Sequence, residues 1–542
     1  MRGMMTDGLT VRDAVFGFLR DVGLTTFFGN PGSTELRMFA GWPADFRYVL
    51  GLQESVAVAV AAGHALGTGR ASLVSLHSAG GVGHSLGAVF NAYRDRVPVL
   101  IVAGQQSRAM LPTRPFLSAD EPALFPRPYV KWSRQPERAE DVPAAFAEAY
   151  HVAMTPPRGP VFLSVPEDDW DRPARPVEPR EVRAGFVGEP AALREVADAL
   201  NAAREPAIIV GAGVDDDGAS PLVTELAERT GAAVWIAPLS SRSGFPEDHR
   251  LFRGFLPPVR DQLARALEPY DVIVSVGAPI FTYHVHTEGP YLPAGARLFH
   301  LDCDPAQTAW APVGTSVLTT IRAGVTTLLE LVEKADRPAP PPLVRPPLPP
   351  VTDPIQPALA VETLRGLLPD DAVVVEEVPS HRDDLHARLP ITRPGGFLTT
   401  GSGALGWGLP LAVGRALAGT GQRVVCVVGD GSSMYSIQAL WTAARHRAPV
   451  TFVVLNNQAY EAVKALGRRI DIPDVPGTDL GGIDFVSVAA GLGCPGRRVE
   501  RADELTDALT QALGHDGPFL VDVRVAAGTS SAYSSPNDSR TR

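Results

Sequence analysis

Apolar residues along this chain follow two rhythms that alternate from one end to the other. Short unbroken runs, at residues 71–76, 97–103, 207–210, 272–276, 424–428 and 450–455, predict strands buried on both faces of parallel sheets. Between them apolar positions recur three and four apart. Val11, Ala14, Val15, Phe18 and Leu19 predict an amphipathic helix over 8–22, and Ile437, Leu440, Trp441 and Ala444 predict another over 436–445. Residues 29–35 predict a tight turn opening a further helix, and Gln53-Glu54 starts a long Ala/Val-rich one. Strand and helix alternating in this way define an α/β fold with mainly parallel sheets.

Proline interrupts the alternation. Residues 171–190 are rich in Pro, Arg and Glu, and residues 337–357 contain ten prolines, a stiff solvated connector. The expected organisation is three doubly wound α/β domains, at 1–180, 190–336 and 358–528, with 337–357 as linker and 529–542 as a polar, disordered tail. The first and third share their layout. A hydrophobic content of 45% with 20% charged residues is that of an ordinary globular protein. The net charge of −11 argues against a dedicated nucleic-acid or anionic-membrane binder. Cys303, Cys426 and Cys494 lie too far apart for a zinc site or a disulfide framework. No apolar run is long enough to cross a bilayer, and a cytoplasmic, membrane-free protein is expected.

Candidate chemistry concentrates in residues 423–460. A strand, a Gly429-Asp430-Gly431-Ser432 turn, a helix, a second strand and Asn456-Asn457 follow in order. A right-handed crossover lays the two strands parallel and puts Asp430 and Asn457 past their C-termini, on the crevice side of an open sheet. One carboxylate, one carboxamide and two uncrowded glycines suit Mg²⁺ that keeps positions for phosphate oxygens. Three other motifs read as structural. Gly83-His84-Ser85-Leu86-Gly87 matches a nucleophile elbow but does not follow a strand directly. Gly401–Gly406 matches a dinucleotide fingerprint but follows a poor strand. Gly211-Ala212-Gly213 precedes three aspartates that would repel a pyrophosphate.

The Gly-Asp-Gly-Ser unit and the Asn-Asn pair resemble the diphosphate anchor of thiamine diphosphate enzymes. With Phe28-Gly29-Asn30-Pro31-Gly32-Ser33, Leu52-Gln53-Glu54, Leu76-His77-Ser78-Ala79-Gly80, Pro126-Arg127-Pro128, Asp168-Asp169-Trp170 and Tyr283-His284, the chain resembles the benzoylformate decarboxylase family from about residue 9 to 525. That resemblance implies a pyrimidine-binding, a middle and a diphosphate-binding domain, with thiamine diphosphate and Mg²⁺ as cofactors. It implies a homotetramer whose active sites lie between subunits. Metal ligands would be Asp430, Asn457 and the carbonyl of Ala459. Ser380, Gly431, Ser432 and Tyr435 would meet the diphosphate, and Tyr460 would stand near the cofactor. Leu405 would hold the cofactor bent and the Gly403 carbonyl would take its 4′-amino group. Glu54 would bind the aminopyrimidine; Ser33 would position the substrate carboxylate; His77 and His284 would relay protons. His84 and His381 match no such role and read as structural. The implied reaction is ylid attack on a 2-oxo acid, loss of CO₂ to an enamine, and protonation to an aldehyde.

The resemblance frays at the substrate end. Thr399 and Leu466 stand near positions that the family makes aromatic, Glu461 stands where a glycine is expected, and Pro379 replaces a hydroxyl residue. Lost rings would open the pocket to a bulkier or aliphatic 2-oxo acid. Two alternatives stay open at the level of sequence: a carboligase resembling acetolactate synthase, and a noncatalytic homologue of the fold.

Overall fold

The computed structural model describes residues 8–528 other than 339 and 342, together with Ser530 and Tyr533. Three six-stranded sheets follow one another along the chain, and all their strand pairings are parallel. In the first, the order across the sheet is Arg47–Leu50, Thr26–Gly29, Ser72–Leu76, Val99–Gln105, Val161–Pro166 and Trp132–Arg134. The third repeats that order strand for strand: Phe397–Leu398, Val373–Glu377, Val424–Gly429, Val450–Asn456, Phe519–Arg524 and Gly496–Val499. The middle sheet runs Thr315–Leu318, Arg297–Asp302, Val272–Val276, Pro206–Val210, Ala233–Ile236 and Phe252–Phe255.

Alternation along each strand assigns side chains to opposite faces. In the first sheet Leu73 packs into one core and Val74 into another; in the third, Val425 and Val427 separate in the same way from Val424, Cys426 and Val428. One face of the first sheet and one face of the third feed a single continuous core. Helices Glu54–Thr68 and Gly408–Leu417 carry it across. They approach so closely that a methyl group at Gly63 would overlap the Leu411 carbonyl, and one at Gly414 the Val60 carbonyl.

Several expectations change. Residues 33–35 make only a 3₁₀ turn, Ser33–Glu35, not the start of a longer helix. The helix expected at 436–445 is shortened to Ala439–Arg445, and a separate helical turn, Asp430–Ser433, begins at the aspartate itself. The intervening residues continue as turns, with Ser436 N donating to Ser433 O and Ala439 N to Ser436 O. The edge strands Phe252–Phe255 and Thr315–Leu318 escape the apolar pattern because they are short and partly exposed.

The three structural motifs are now explained. Ser85 is buried within helix Ser78–Arg94 and donates its hydroxyl to Val82 O at 2.8 Å, so no nucleophile elbow exists there. Before Gly401 the strand is two residues long. Gly211 and Gly213 pack against Gly277 and Ala278, and Gly213 N donates to Gly277 O at 2.9 Å. Their smallness serves the contact between two strand-end loops. The three cysteines are free. Among the described residues no helix is long and apolar enough to cross a membrane. The expected tail, 529–542, lies outside the described residues except for Ser530 and Tyr533.

Candidate active site

In the third sheet the chain reverses direction of growth between Val373–Glu377 and Val424–Gly429, the switch point at which open α/β sheets bind ligands. A cleft opens at those strand ends. Its lining, all from residues 378–463, includes Ser380, Leu405, Asp430, Gly431, Ser432, Asn457, Ala459 and Tyr460. The parallel register pairs Gly429 with Leu455, which brings Asp430 and Asn457 to the same edge. Asp430 is 3% exposed, and burial raises its carboxyl above the usual range. Its Oδ1 accepts from Gly431 N at 2.8 Å, while its buried Oδ2 has no hydrogen-bond partner among the described residues, although the Gln458 and Ala459 backbone N–H groups favour the charged carboxylate. A buried carboxylate oxygen left bare asks for a cation or a donor. Gln458, at φ +62°, turns the backbone sharply between Asn457 and Ala459. Among the described residues no three His, Cys, Asp or Glu side chains gather into a metal cage. One carboxylate, an amide oxygen and a carbonyl are a set that a hard cation completes with oxygens from elsewhere.

Steric detail fixes the cleft floor. An added Cβ at Gly431 would stand 2.5 Å from Cε1 of Tyr460, so only glycine lets that ring lie flat there. Tyr435 lies beside Tyr460 and packs on Gly406. Leu405 sits on a loop that begins at Gly403, φ +78°. Two residues without an assigned role hold this loop. Buried Glu377 accepts from Gly406 N at 2.6 Å and from Gly408 N, and burial pushes its pKa up to about 8. Asn91, from the first domain, donates to Ala404 O at 3.0 Å.

The first sheet has its own switch point, between Thr26–Gly29 and Ser72–Leu76, and His77 and the Gly32-Ser33 turn follow those two strands. A Cβ at Gly32 would overlap the His77 ring. His77 Nδ1 lies 3.0 Å from Thr34 Oγ1 and 3.1 Å from Glu35 Oε2. Glu35, 2% exposed, also accepts from Gly32 N at 2.8 Å and Gly104 N at 3.1 Å. A carboxylate against Nδ1 places the proton there and leaves Nε2 free. Ser78, next in sequence, is held at φ +43°. Ser33 is exposed beside this unit.

Glu54 opens helix Glu54–Thr68, where Gln53 Oε1 caps the first turn by accepting from Ser55 N at 2.8 Å and Val56 N at 3.2 Å. Gly81 lies between Glu54 and His77: its added Cβ would be 3.5 Å from Glu54 Cγ and 3.5 Å from His77 Cβ. The two ionisable side chains therefore flank one small residue. His84, read from sequence as structural, reaches Glu54 Oε2 at 3.3 Å through Nδ1. His381, read likewise, is buried in the cleft wall with Nε2 3.4 Å from Asn457 Nδ2, and burial depresses its pKa to about 4. His284 stands apart in the middle domain, exposed but partly desolvated, which lowers its pKa. Thr399 does not line the cleft; its hydroxyl donates to Glu376 Oε2 at 2.7 Å.

Two like domains, one with paired ionisable side chains and one with a buried carboxylate over a glycine floor, are the arrangement of a cofactor-dependent enzyme. Family models for thiamine pyrophosphate enzymes match in sequence: the N-terminal TPP-binding domain at residues 9–123, the central domain at 193–330 and the C-terminal TPP-binding domain at 378–523. The chain is 41% identical over 519 residues to a benzoylformate decarboxylase of Pseudomonas aeruginosa, covering 95% of this chain and 98% of that protein. It superposes on a thiamine diphosphate-dependent 4-hydroxybenzoylformate decarboxylase of Rhodococcus jostii with a TM-score of 0.93 at 39% identity, covering 96% and 100% of the two chains. A benzoylformate decarboxylase of Polynucleobacter necessarius gives 0.94 at 36% identity, with 96% and 99% covered. The chain belongs to the thiamine pyrophosphate enzyme family and, within it, to the relatives of benzoylformate decarboxylase.

Proposed function

We propose that this protein removes CO₂ from a 2-oxo acid with an aryl or other bulky side chain and releases the aldehyde. The observation that carries the reading is the pairing of Glu54 and His77 around Gly81, in a chain related to benzoylformate decarboxylase over nearly its whole length. Thiamine diphosphate, when bound, supplies a nucleophilic carbon and a sink for the electrons that CO₂ leaves behind. Asp430, Asn457 and the Ala459 carbonyl would hold Mg²⁺ against the diphosphate, with Ser380, Gly431, Ser432 and Tyr435 around its oxygens. Leu405 and the Gly403 carbonyl would fix the cofactor's shape, and Tyr460 would wall its side. Glu54 would share a proton with the aminopyrimidine ring. Ser33 would orient the substrate carboxylate through its hydroxyl. His77, its Nδ1 fixed by Glu35, presents Nε2 to the substrate oxygen, and His284 serves the second proton transfer.

The first-domain and third-domain groups are proposed to meet across a subunit interface in a homotetramer built from dimers. Three free cysteines suit a reducing cytoplasm. The test is incubation with thiamine diphosphate, Mg²⁺ and a panel of aryl and aliphatic 2-oxo acids, with CO₂ and aldehyde both measured. Equal release of the two from aryl substrates is expected. No release from any member would overturn the reading, and CO₂ accompanied by a coupled ketone instead of aldehyde would favour carboligation.

A further inference from the structure

The chain continues to shape the site after the last strand of the third sheet. Val525 N donates to Asn456 O at 3.1 Å and Ala526 N to Ile355 O at 2.8 Å, which keeps the backbone along the edge of the cleft. Gly528 comes against the cleft-wall histidine: an added Cβ would lie 3.4 Å from His381 Cε1. Ser530 Oγ donates to Asp383 Oδ1 at 2.8 Å, on helix Arg382–Arg388, and Tyr533 N returns to Ser530 O at 2.9 Å. Tyr533 then meets His284 edge-on, with ring centroids 5.2 Å apart and planes at 80°.

We propose that Tyr533 is a positioning residue for His284, holding the exposed imidazole in one orientation by packing against one side of it. This rests on the decarboxylase reading and on the part His284 plays in it. A ring packed against the imidazole restricts rotation of the histidine side chain and covers one side of it, while the rest stays exposed. His284 N donates to Pro258 O at 2.9 Å, which fixes its backbone, and among the described residues the Tyr533 ring is the aromatic contact to its side chain. Arg382, Glu376 and Asp383 lie toward the phenol from the third domain, while Tyr283 and the His286–Glu288 pair flank His284 along its own segment. None of these charges accounts for the lowered imidazole pKa; loss of water does. The geometry thus gives an imidazole held on one side by the Tyr533 ring and open to solvent on the other, as a proton-relay group requires.

The test compares wild type, Tyr533→Phe and Tyr533→Ala in two measurements. One is steady-state decarboxylation against pH with thiamine diphosphate and Mg²⁺. The other is the titration of His284 by NMR in cofactor-free protein containing ¹³C-labelled histidine, assigned with His284→Gln. Tyr533→Ala is expected to lower kcat roughly tenfold with KM little changed, as a mispositioned catalytic group does. It should also move the His284 titration up toward an ordinary imidazole. Tyr533→Phe keeps the ring and should retain both properties. An unchanged His284 titration in Tyr533→Ala would overturn the proposal whatever the activity. If the alanine variant does not fold, Tyr533→Leu replaces it, and failure of both to fold would overturn a positioning role in favour of a structural one. Should wild type release no CO₂ while the titration still follows Tyr533, the functional reading fails, and with it the proposal, although the contact is real.

Discussion

The first and third domains use one strand order for opposite purposes. In each, the connections leave two neighbouring parallel strands in opposite directions at the switch point, and residues past the strand ends around it form the proposed site. The first domain places proton-carrying groups there: His77 tied to buried Glu35, with Glu54 across Gly81. The third places oxygens and space: Asp430 with a bare Oδ2, Asn457, and Gly431 beneath Tyr460. A shared scaffold therefore says where a ligand binds, and the strand-end residues say what happens to it. The division also means that each half can be broken separately, and the two failures should look different.

The largest effect is expected in the proton-handling half. Glu54→Gln keeps the size of the side chain and its place after the Gln53 cap, but cannot exchange a proton. Turnover should fall by about 10²–10⁴-fold, the usual worth of a general acid–base group. Cofactor affinity, measured by quenching of protein fluorescence, should stay close to that of wild type. In the anchoring half the pattern reverses. Asp430→Asn removes the charge beneath the proposed cation. Losing a charge-assisted contact of about 1.5–3 kcal/mol weakens affinity by about ten- to a hundredfold. Excess cofactor should then recover part of the turnover, which it cannot do for Glu54→Gln.

A smaller effect is expected at the cleft floor. Gly431→Ala forces the Tyr460 ring to move from its 2.5 Å approach, at a typical overpacking cost of about 1–3 kcal/mol. Affinity for the cofactor should drop less than in Asp430→Asn, and a crystal structure of the variant should show Tyr460 displaced. An undisturbed ring with normal affinity would contradict the steric reading.

The smallest effect concerns stability. Glu377 supports the Leu405 loop, and its folded pKa of about 8 stands above the ordinary 4.5. The native state then holds that proton more tightly than the unfolded chain. Its contribution is complete below about pH 4.5 and is lost as pH rises toward about 8. Buried Glu247, also raised to about 8, and Asp95, raised to about 7, push in the same direction. The useful quantity is therefore the difference between wild type and Glu377→Gln. Urea midpoints of cofactor-free protein should decline less steeply with pH in the variant. Parallel declines would assign the pH dependence to other groups.

How much of this was legible in the sequence depends on the range of the signal. Strands covered on both faces announce themselves as unbroken apolar runs, so most of the sheet strands could be read directly. Edge strands such as Thr315–Leu318, exposed at all but Val317, could not. Asp430 and Asn457 were readable because strand–turn chemistry is local. Glu377 and Glu35 were not, since their work depends on partners 29 and 69 residues away, Gly406 and Gly104. A buried Glu looks like any other Glu until the loop that it holds is in place. His84 was set aside because it matched no functional position of the family, yet the fold lays it against Glu54. Thr399 misled in the other direction: a small residue in place of an aromatic suggested an opened pocket, whereas the side chain is spent on the buried Glu376–Arg382 pair.

The central claim is that neither half is a site by itself and that each is completed by another subunit. Mixed oligomers test it most directly. Glu54→Gln and Asp430→Asn chains, carrying different affinity tags, are co-expressed, and species holding both tags are isolated and assayed at limiting cofactor. If the site joins the first domain of one subunit to the third domain of its neighbour, the mixed species contains an intact Glu54–Asp430 combination and recovers activity that neither parent shows. If both halves serve the same chain, every site in the mixture keeps one lesion. Mixed species no more active than their parents would contradict the claim.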